Sequence, residues 1–333
     1  MKRISLIFLS VVALIAVVSC DALHTAADNK VNSQGAPYEL IIVCDQPEWE
    51  GALGDTLRSV FTAEIPYLTQ KEPIFDVLRV TERGFTNLVT RHRNIFKTLI
   101  VPTIDSASVV VQYDLTASPQ IVLTLQGGSQ EAITKCLSEN RAQIVAALEG
   151  AERDRAIEYA QKFNVKSLET LIKEKFLFDM KVPAGYTLRN DGDNFLWMSY
   201  EYPTASQGVV IYSYPAVDGV KSLNEADLLA ARNKFVSKIP GPVEGSYMTT
   251  FDEYTPDYRI YRLGGRIWAE MRGLWEVEGD FMGGPFVSYS TLNTQTGEIV
   301  TIDCYVFSPK LGKRNFMRGV EHLIHNVSFP KPE

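Results

Sequence analysis

Hydrophobic and polar residues alternate with period two over Arg266–Glu278. Ile267, Ala269, Met271, Gly273, Trp275 and Val277 fall on one side, and Arg266, Trp268, Glu270, Arg272, Leu274, Glu276 and Glu278 on the other. This alternation predicts an antiparallel strand with one dry face and one largely charged, solvated face. Gly264-Gly265 precede it and suit a two-residue hairpin turn, with Tyr258–Leu263 as the partner strand. Beyond the strand the chain reads Gly279-Asp-Phe-Met-Gly-Gly-Pro-Phe286. Gly279, Gly283, Gly284 and Pro285 predict an end to the ladder and a special backbone path. Phe286–Leu292 and Glu298–Phe307, joined by Asn293-Thr-Gln-Thr-Gly297, predict two further strands. The four strands together read as an antiparallel meander.

Elsewhere the pattern switches between periods. Tyr38–Cys44, Ile74–Val80, Phe96–Val101, Val109–Tyr113 and Gln120–Leu125 read as strands. Glu48–Thr62 reads as an amphipathic helix, with Trp49, Leu53, Leu57, Val60 and Phe61 on one side. Phe85–Arg91 reads as a short helix. Ser129 is a good N-cap, with Glu131 in the first turn. The helix it opens keeps Ile133, Leu137, Ile144, Ala147 and Leu148 at helical spacing, and Gly150 is where it breaks or kinks. Ser167–Lys175 is a further helix. In the second half, Phe195–Tyr202 and Val209–Tyr214 read as strands. Leu223–Ser237 reads as a helix with Ala226, Leu229, Ala230 and Phe235 inward, and Phe316–Val327 as a final helix packed on the sheet. The expected fold class is α+β with two mixed sheet-and-helix halves. Residues 37–176 form an α/β-type N-terminal half, and residues 177–333 a C-terminal half built on the meander.

Two readings of the glycine-rich turn stand side by side. In one it is a wide hairpin whose Phe281, Met282 and Phe286 close one end of the core. In the other it is a binding lip. Tyr247, Met248, Arg272, Trp275, Phe281, Met282, Gly283, Gly284 and Phe286 form its apolar platform, and Glu276, Glu278 and Asp280 its acidic rim. The turn is no phosphate cradle, because it is acidic and no GK[ST] follows the glycines.

The N-terminus carries the clearest functional signal. Lys2-Arg3 precede Ile4–Val18, an apolar run of about 15 residues, too short for a span of ~20 residues. The run ends in Val17-Val18-Ser19-Cys20. This pattern resembles a bacterial lipobox: residues 1–19 are a lipoprotein signal peptide and Cys20 is the lipidated N-terminus. Residues 20–36 are then the lipidated cysteine and a flexible polar tether, reaching on the order of 20 Å. Several acyl chains on one cysteine anchor stably. The expected location is the bacterial cell envelope, periplasm-facing or at the outer membrane.

Composition removes several function classes. The 333 residues are 45% hydrophobic and 22% charged, an ordinary globular balance. Formal net charge is −7, and loss of a leader carrying Lys2 and Arg3 makes the remainder two units more negative. That argues against nucleic acid as a partner. Cys44, Cys136 and Cys304 remain after Cys20, an odd number without a CxxC, and they read as buried free thiols, with a Cys44–Cys304 bridge as the open alternative. No P-loop, G-x-S-x-G elbow or HExxH occurs. His322-Leu-Ile-His325 lacks a third ligand. No cofactor, metal or catalytic residue is assigned. Arg91-His-Arg-Asn94 is a basic cluster that reads as a solvated face or an anion grip. Acid pairs Asp252/Glu253 and Glu276/Glu278 have no readable geometry.

The chain resembles domain-of-unknown-function family 4837, predicted lipoproteins of Bacteroidota, over nearly all of its body after residue 36. The strings that carry this are Glu72-Pro-Ile-Phe75, Arg91-His-Arg-Asn94, Gly245-Ser-Tyr-Met248, Arg272-Gly-Leu-Trp275, Phe281-Met-Gly-Gly-Pro-Phe286 and Tyr305-Val-Phe-Ser-Pro-Lys310 with Lys313-Arg314. The resemblance implies compartment and lineage, and brings no activity. The expectation is a non-enzymatic binding or assembly module held to the membrane by lipid, with an envelope protein as its partner. The alternative is a hydrolase acting on an envelope polymer or glycan through acidic residues.

Overall fold

A computed structural model of the protein describes residues 30–330. The expected signal peptide, Cys20 and the expected tether up to residue 29 lie outside the described residues. Residues 31–35 are not free tether. Asn32 bridges Ser118 and Gln34 bridges His92, through four backbone hydrogen bonds that add an irregular strand to the body.

The first sheet contains β1 (Glu39–Val43), β2 (Asp76–Val80), β3 (Asn94–Ile100), β4 (Ser108–Tyr113) and β5 (Ile121–Gly127), in the order β2-β1-β3-β5-β4. All pairs are parallel except β4 with β5. The predicted helix over 48–62 is two pieces, α1 (Gln46–Trp49) and α2 (Ala52–Phe61). The predicted 85–91 helix is two 3-10 turns, Glu82–Gly84 and Val89–Arg91. Ser129 caps α3 (Gln130–Glu139) by accepting from Ala132 N–H at 3.2 Å. The helical run breaks at Asn140, not Gly150. From there α4 (Arg141–Lys162) continues unbroken. The apolar faces of α2, α3 and α4 cover Leu40, Ile42, Phe96, Leu123 and Leu125.

α5 (Lys166–Phe176) corrects the predicted seam at 176/177. Leu168, Ile172 and Phe176 pack on the second sheet, so the C-terminal unit begins near residue 165. That sheet has eight strands. Its main path is β10 (Asp257–Leu263), β11 (Arg266–Glu278), β12 (Gly283–Asn293), β13 (Glu298–Phe307), β8 (Ser206–Pro215), β7 (Phe195–Glu201) and β6 (Thr187–Gly192). β11 is long enough to take two partners on one edge. β10 pairs with its first half, and β9 (Tyr247–Thr250) with its last four residues. Every pairing is antiparallel.

Helices cover both faces of this sheet. α6 (Glu225–Val236) buries Leu228, Arg232, Phe235 and Val236, a face rotated from the predicted one. On the other face lie α5, α7 (Arg314–Glu321) and the 3-10 turn His322–Asn326. The middle of the charged side of β11 is therefore not solvated, although Glu278 at its end is exposed. Trp268 and Glu270 are buried there. Glu270 accepts two bonds from Arg259, both 2.9 Å, and pairs with Arg272. Arg272 pairs onward with Glu321, which Arg318 holds from the other side at 3.1 Å. Period-two polarity cannot separate a wet face from a buried ionic seam, because the same residue types serve both.

The two halves join through named pairs. Glu72 accepts from the backbone N–H groups of Lys313 (2.6 Å) and Arg314 (3.0 Å), capping α7 from the other half. Arg314 reaches back to Pro73 O at 2.9 Å and to the Asp76 carboxylate. Arg318 pairs with Glu149. The Arg91–Asn94 cluster is internal rather than solvated at Arg93 and Asn94. Both contact Glu152 at 2.6 Å.

Candidate functional site

The exit of β7, the start of β8, the loop 239–242, the β11–β12 turn and the end of β13 surround a groove of about 560 Å³. Trp275 forms its floor. The indole donates to Val306 O at 3.2 Å, and its ring meets Tyr305 edge-on at 5.5 Å. With its N–H spent on the backbone, Trp275 offers the groove only apolar surface. Trp197 donates to the Tyr305 hydroxyl at 2.9 Å and fixes that ring in turn. The ring lies where a side chain on Gly208 would stand, 2.0 Å from an ideal Cβ, so only glycine fits there. Pro203, Pro240, Pro242 and Pro309 form ridges along the rim, and Met248, Val277, Met282 and Phe307 line the wall between them.

The turn itself is shorter than its sequence suggests. Gly283, Gly284 and Pro285 do not end the ladder, because they pair with Glu276, Trp275 and Leu274. Their requirement for glycine is close approach. A Cβ on Gly284 would stand 2.2 Å from Val306 O, and one on Gly283 would stand 2.8 Å from Trp275 O. Only Gly279 takes positive φ, +88°. Asp280 accepts from Met282 N–H at 3.1 Å, so this member of the supposed acidic rim stabilises the turn.

The nine residues of the proposed lip are thus divided. Met248, Trp275 and Met282 meet in the groove. Gly283 and Gly284 bring β12 close to the floor. Phe281 is fully exposed at the tip, and Tyr247 is exposed on β9. Phe286 is buried in the core beneath, its ring 3.5 Å from the Arg232 guanidinium carbon. Arg272 does not join them. Strand alternation sends it to the opposite face, into the ionic seam. Trp197, Ile239, Tyr305, Phe307 and the four prolines were not foreseen. Their only signal in the sequence is a proline just outside or between strands.

The groove's chemistry is narrow. Among the described residues Glu201 and Lys310 are its only carboxylate and ammonium. Glu201 already accepts from Ser199 at 2.6 Å. Burial pushes the Tyr202 hydroxyl up to about 12, helped by Tyr200. Burial also raises Tyr305, against a lowering bond from Trp197. Both phenols are neutral at neutral pH, and Tyr202 already donates to Gln207 at 2.9 Å. Glu276 lies on the other face. Burial raises it, and Asp252, Glu278 and Glu253 add to the rise. None of these four acids lines the groove. Cys44, Cys136 and Cys304 are free, and burial raises all three thiols, Cys44 to about 11. They are poor nucleophiles. Among the described residues no group of three or more His, Cys, Asp or Glu is placed to hold a metal.

Two family models match the sequence. Residues 165–326 match a domain of unknown function (DUF4837). Residues 33–161 match a second, DUF8532, also of unknown function. The first model therefore covers the C-terminal unit rather than nearly the whole body, and the strings at 72–75 and 91–94 fall under the second. No curated protein matches the sequence. Among solved structures, a Bacteroides thetaiotaomicron protein aligns at 14% identity over 46% of each chain, with TM-score 0.26. The Saccharomyces cerevisiae Ran-binding protein Mog1p aligns at 11% identity over 46% of this chain and 89% of its own, with TM-score 0.30. LpqN of Mycobacterium tuberculosis, described as involved in cell envelope biogenesis, aligns at 10% identity over 45% of this chain and 82% of its own, with TM-score 0.28. Likenesses at this level carry no argument about fold or function.

Proposed function

We propose that this chain, a DUF8532 domain joined to a DUF4837 domain, is a lipid-anchored binding module of the bacterial cell envelope, working without catalysis. The observation that carries the binding part is the groove over Trp275: aromatic and proline walls, one engaged carboxylate, one ammonium, and no nucleophile–base pair. Aromatic floors between proline ridges suit an extended, proline-containing apolar segment, whose preformed conformation loses little entropy on docking. The occupant we assign is such a segment of an envelope protein. The hydrolase alternative needs two carboxylates facing one cavity, and the groove offers Glu201 alone.

The anchor rests on Lys2-Arg3, the apolar run and Cys20, and no helix among the described residues is long and apolar enough to cross a membrane. A palmitate analogue fed to cells should label the wild-type chain. Cys20→Ser should lose the label and leave the membrane fraction. A wild-type chain that takes no label removes the anchor from this reading.

Trp197 and Trp275 report on the groove directly. Proline-rich apolar peptides should shift their emission, and Met282→Asp should weaken that binding about tenfold, since a charge would enter a desolvated wall. A photocrosslinker at Thr204 in living cells should then give one dominant adduct, lost in Met282→Asp. Unchanged emission with every peptide, together with no adduct, would discard the groove as the site.

A further inference from the structure

A second cavity, of about 420 Å³, lies on the seam between the two halves, and goes beyond the groove reading. Tyr38, Arg93, Glu152, Arg155 and Tyr159 wall it from the first half, and Tyr186, Tyr200, Tyr202 and His322 from the second. Its charge does not balance. Glu152 is the only wall carboxylate, and two guanidiniums share it: Arg93 at 2.6 Å and Arg155 at 3.0 Å. Asn94 and the Tyr38 backbone N–H also donate to it, at 2.6 and 3.3 Å. The carboxylate is saturated, and among the wall residues one positive charge is left over, with Asp114 acting on Arg155 from outside the wall.

Two wall residues also carry a buried polar atom with no partner among the described residues, Arg93 Nε and His322 Nδ1. Burial pushes His322 down to about 3, so its ring is neutral. The Tyr38 hydroxyl lies 3.0 Å from Nε2. With that hydroxyl donating to Nε2, the ring proton sits on Nδ1. Both unmatched atoms are then donors, and both ask for an acceptor. The amides on the wall do not compete. Gln207, Asn315 and Asn326 are each bonded to the protein through both the amide nitrogen and the carbonyl oxygen. Besides small aliphatic residues and prolines, what remains of the wall is phenol. Tyr200 and Tyr202 stack at 4.2 Å, and Tyr186 meets Tyr200 at 5.8 Å.

We propose that the seam cavity binds a small organic acid with a flat body, its carboxylate at the Arg93–Arg155 end and its ring among the tyrosines. A carboxylate neutralises the surplus charge and supplies acceptors in fork geometry. The tyrosine faces take a planar group in offset or edge contact. The volume suits a ligand of that size.

Benzoate is a probe of this chemistry, with benzamide as its neutral isostere and inorganic phosphate as an anion without a body. Calorimetric titration of the full chain should find benzoate binding about tenfold tighter than benzamide, the value of one charge-assisted pair. Arg93→Gln should remove that preference and keep the fold, because Arg155 still neutralises Glu152. Tyr159→Ala, at an exposed position, should weaken benzoate severalfold and leave the preference over benzamide intact. Equal binding of benzoate and benzamide would overturn the carboxylate assignment. Phosphate binding as well as benzoate would overturn the flat body. No heat with any probe at millimolar concentration would overturn the site.

Discussion

Replacing Arg232 with methionine is expected to cost about 3–5 kcal/mol of stability, the usual loss when one partner of a buried ion pair is removed. Arg232 and Asp303 are 1% and 0% exposed and 2.8 Å apart. The guanidinium also donates to Thr250 at 2.6 Å and lies over the Phe286 ring. Burial raises the Asp303 carboxyl above its usual range, and Arg232 pulls it back only in part. Without Arg232, Asp303 must take up a proton or draw in water beneath the groove. The sign of the pH dependence follows. A raised carboxyl loses folded-state stability as pH rises, so the deficit of Arg232→Met should be largest at neutral pH and shrink below the ordinary carboxylate range. Replacing Asp303 with leucine in the same chain should recover most of the loss, because two packed apolar side chains need no counter-charge. Urea midpoints for the single and double variants decide it. A single variant within 1 kcal/mol of wild type would mean that the pair is already compensated by Thr250 and Ser288.

Arg232 also shows where the sequence stops being legible. Its helix reads from periodicity to within two residues at each end, but its inward face does not. Arginine on a helix is read as solvated, and only Asp303 on a strand 71 positions away makes Leu228-Arg232-Phe235 the buried line. The strands behave alike. β11 and β13 are readable to the residue from alternation and flanking glycines. Yet alternation assigned Glu270 and Arg272 to water, because it reports that two faces differ, not what covers each. The lip divided for the same reason. Trp275 and Arg272, three apart, lie on opposite faces of one strand, while Met248 and Met282 reach Trp275 through pairings that no local pattern encodes. The strings Glu72-Pro-Ile-Phe75 and Lys313-Arg314 appear unrelated in sequence. They are the two sides of the α7 cap.

Acid should destabilise the fold, and Glu321 is the group that sets the window. Burial pushes its carboxyl up, but Arg272 and Arg318 together outweigh that and hold it at about 2, against an ordinary value of 4.5. A carboxyl so depressed contributes stability that is complete above pH 4.5 and lost as pH falls toward 2. For a fully buried group, a shift of that size is worth about 3 kcal/mol. Two histidines act in the same direction. Burial depresses His322 to about 3 and His325 to about 4, both from 6.5, so the folded rings stay neutral while the unfolded ones protonate, and stability is lost as pH falls from 6.5 toward those values. Urea midpoints should therefore fall steadily below pH 6.5 and steepen below 4.5. Glu321→Gln removes the steep part and flattens the profile below 4.5. At neutral pH the variant is already weakened, since Arg272 and Arg318 lose their shared carboxylate. The same steep fall in Glu321→Gln as in wild type would place the acid-sensitive group elsewhere. Glu169 would then be next to test, because hydrogen bonds from Lys181 and Lys166 hold its carboxyl at about 2 as well.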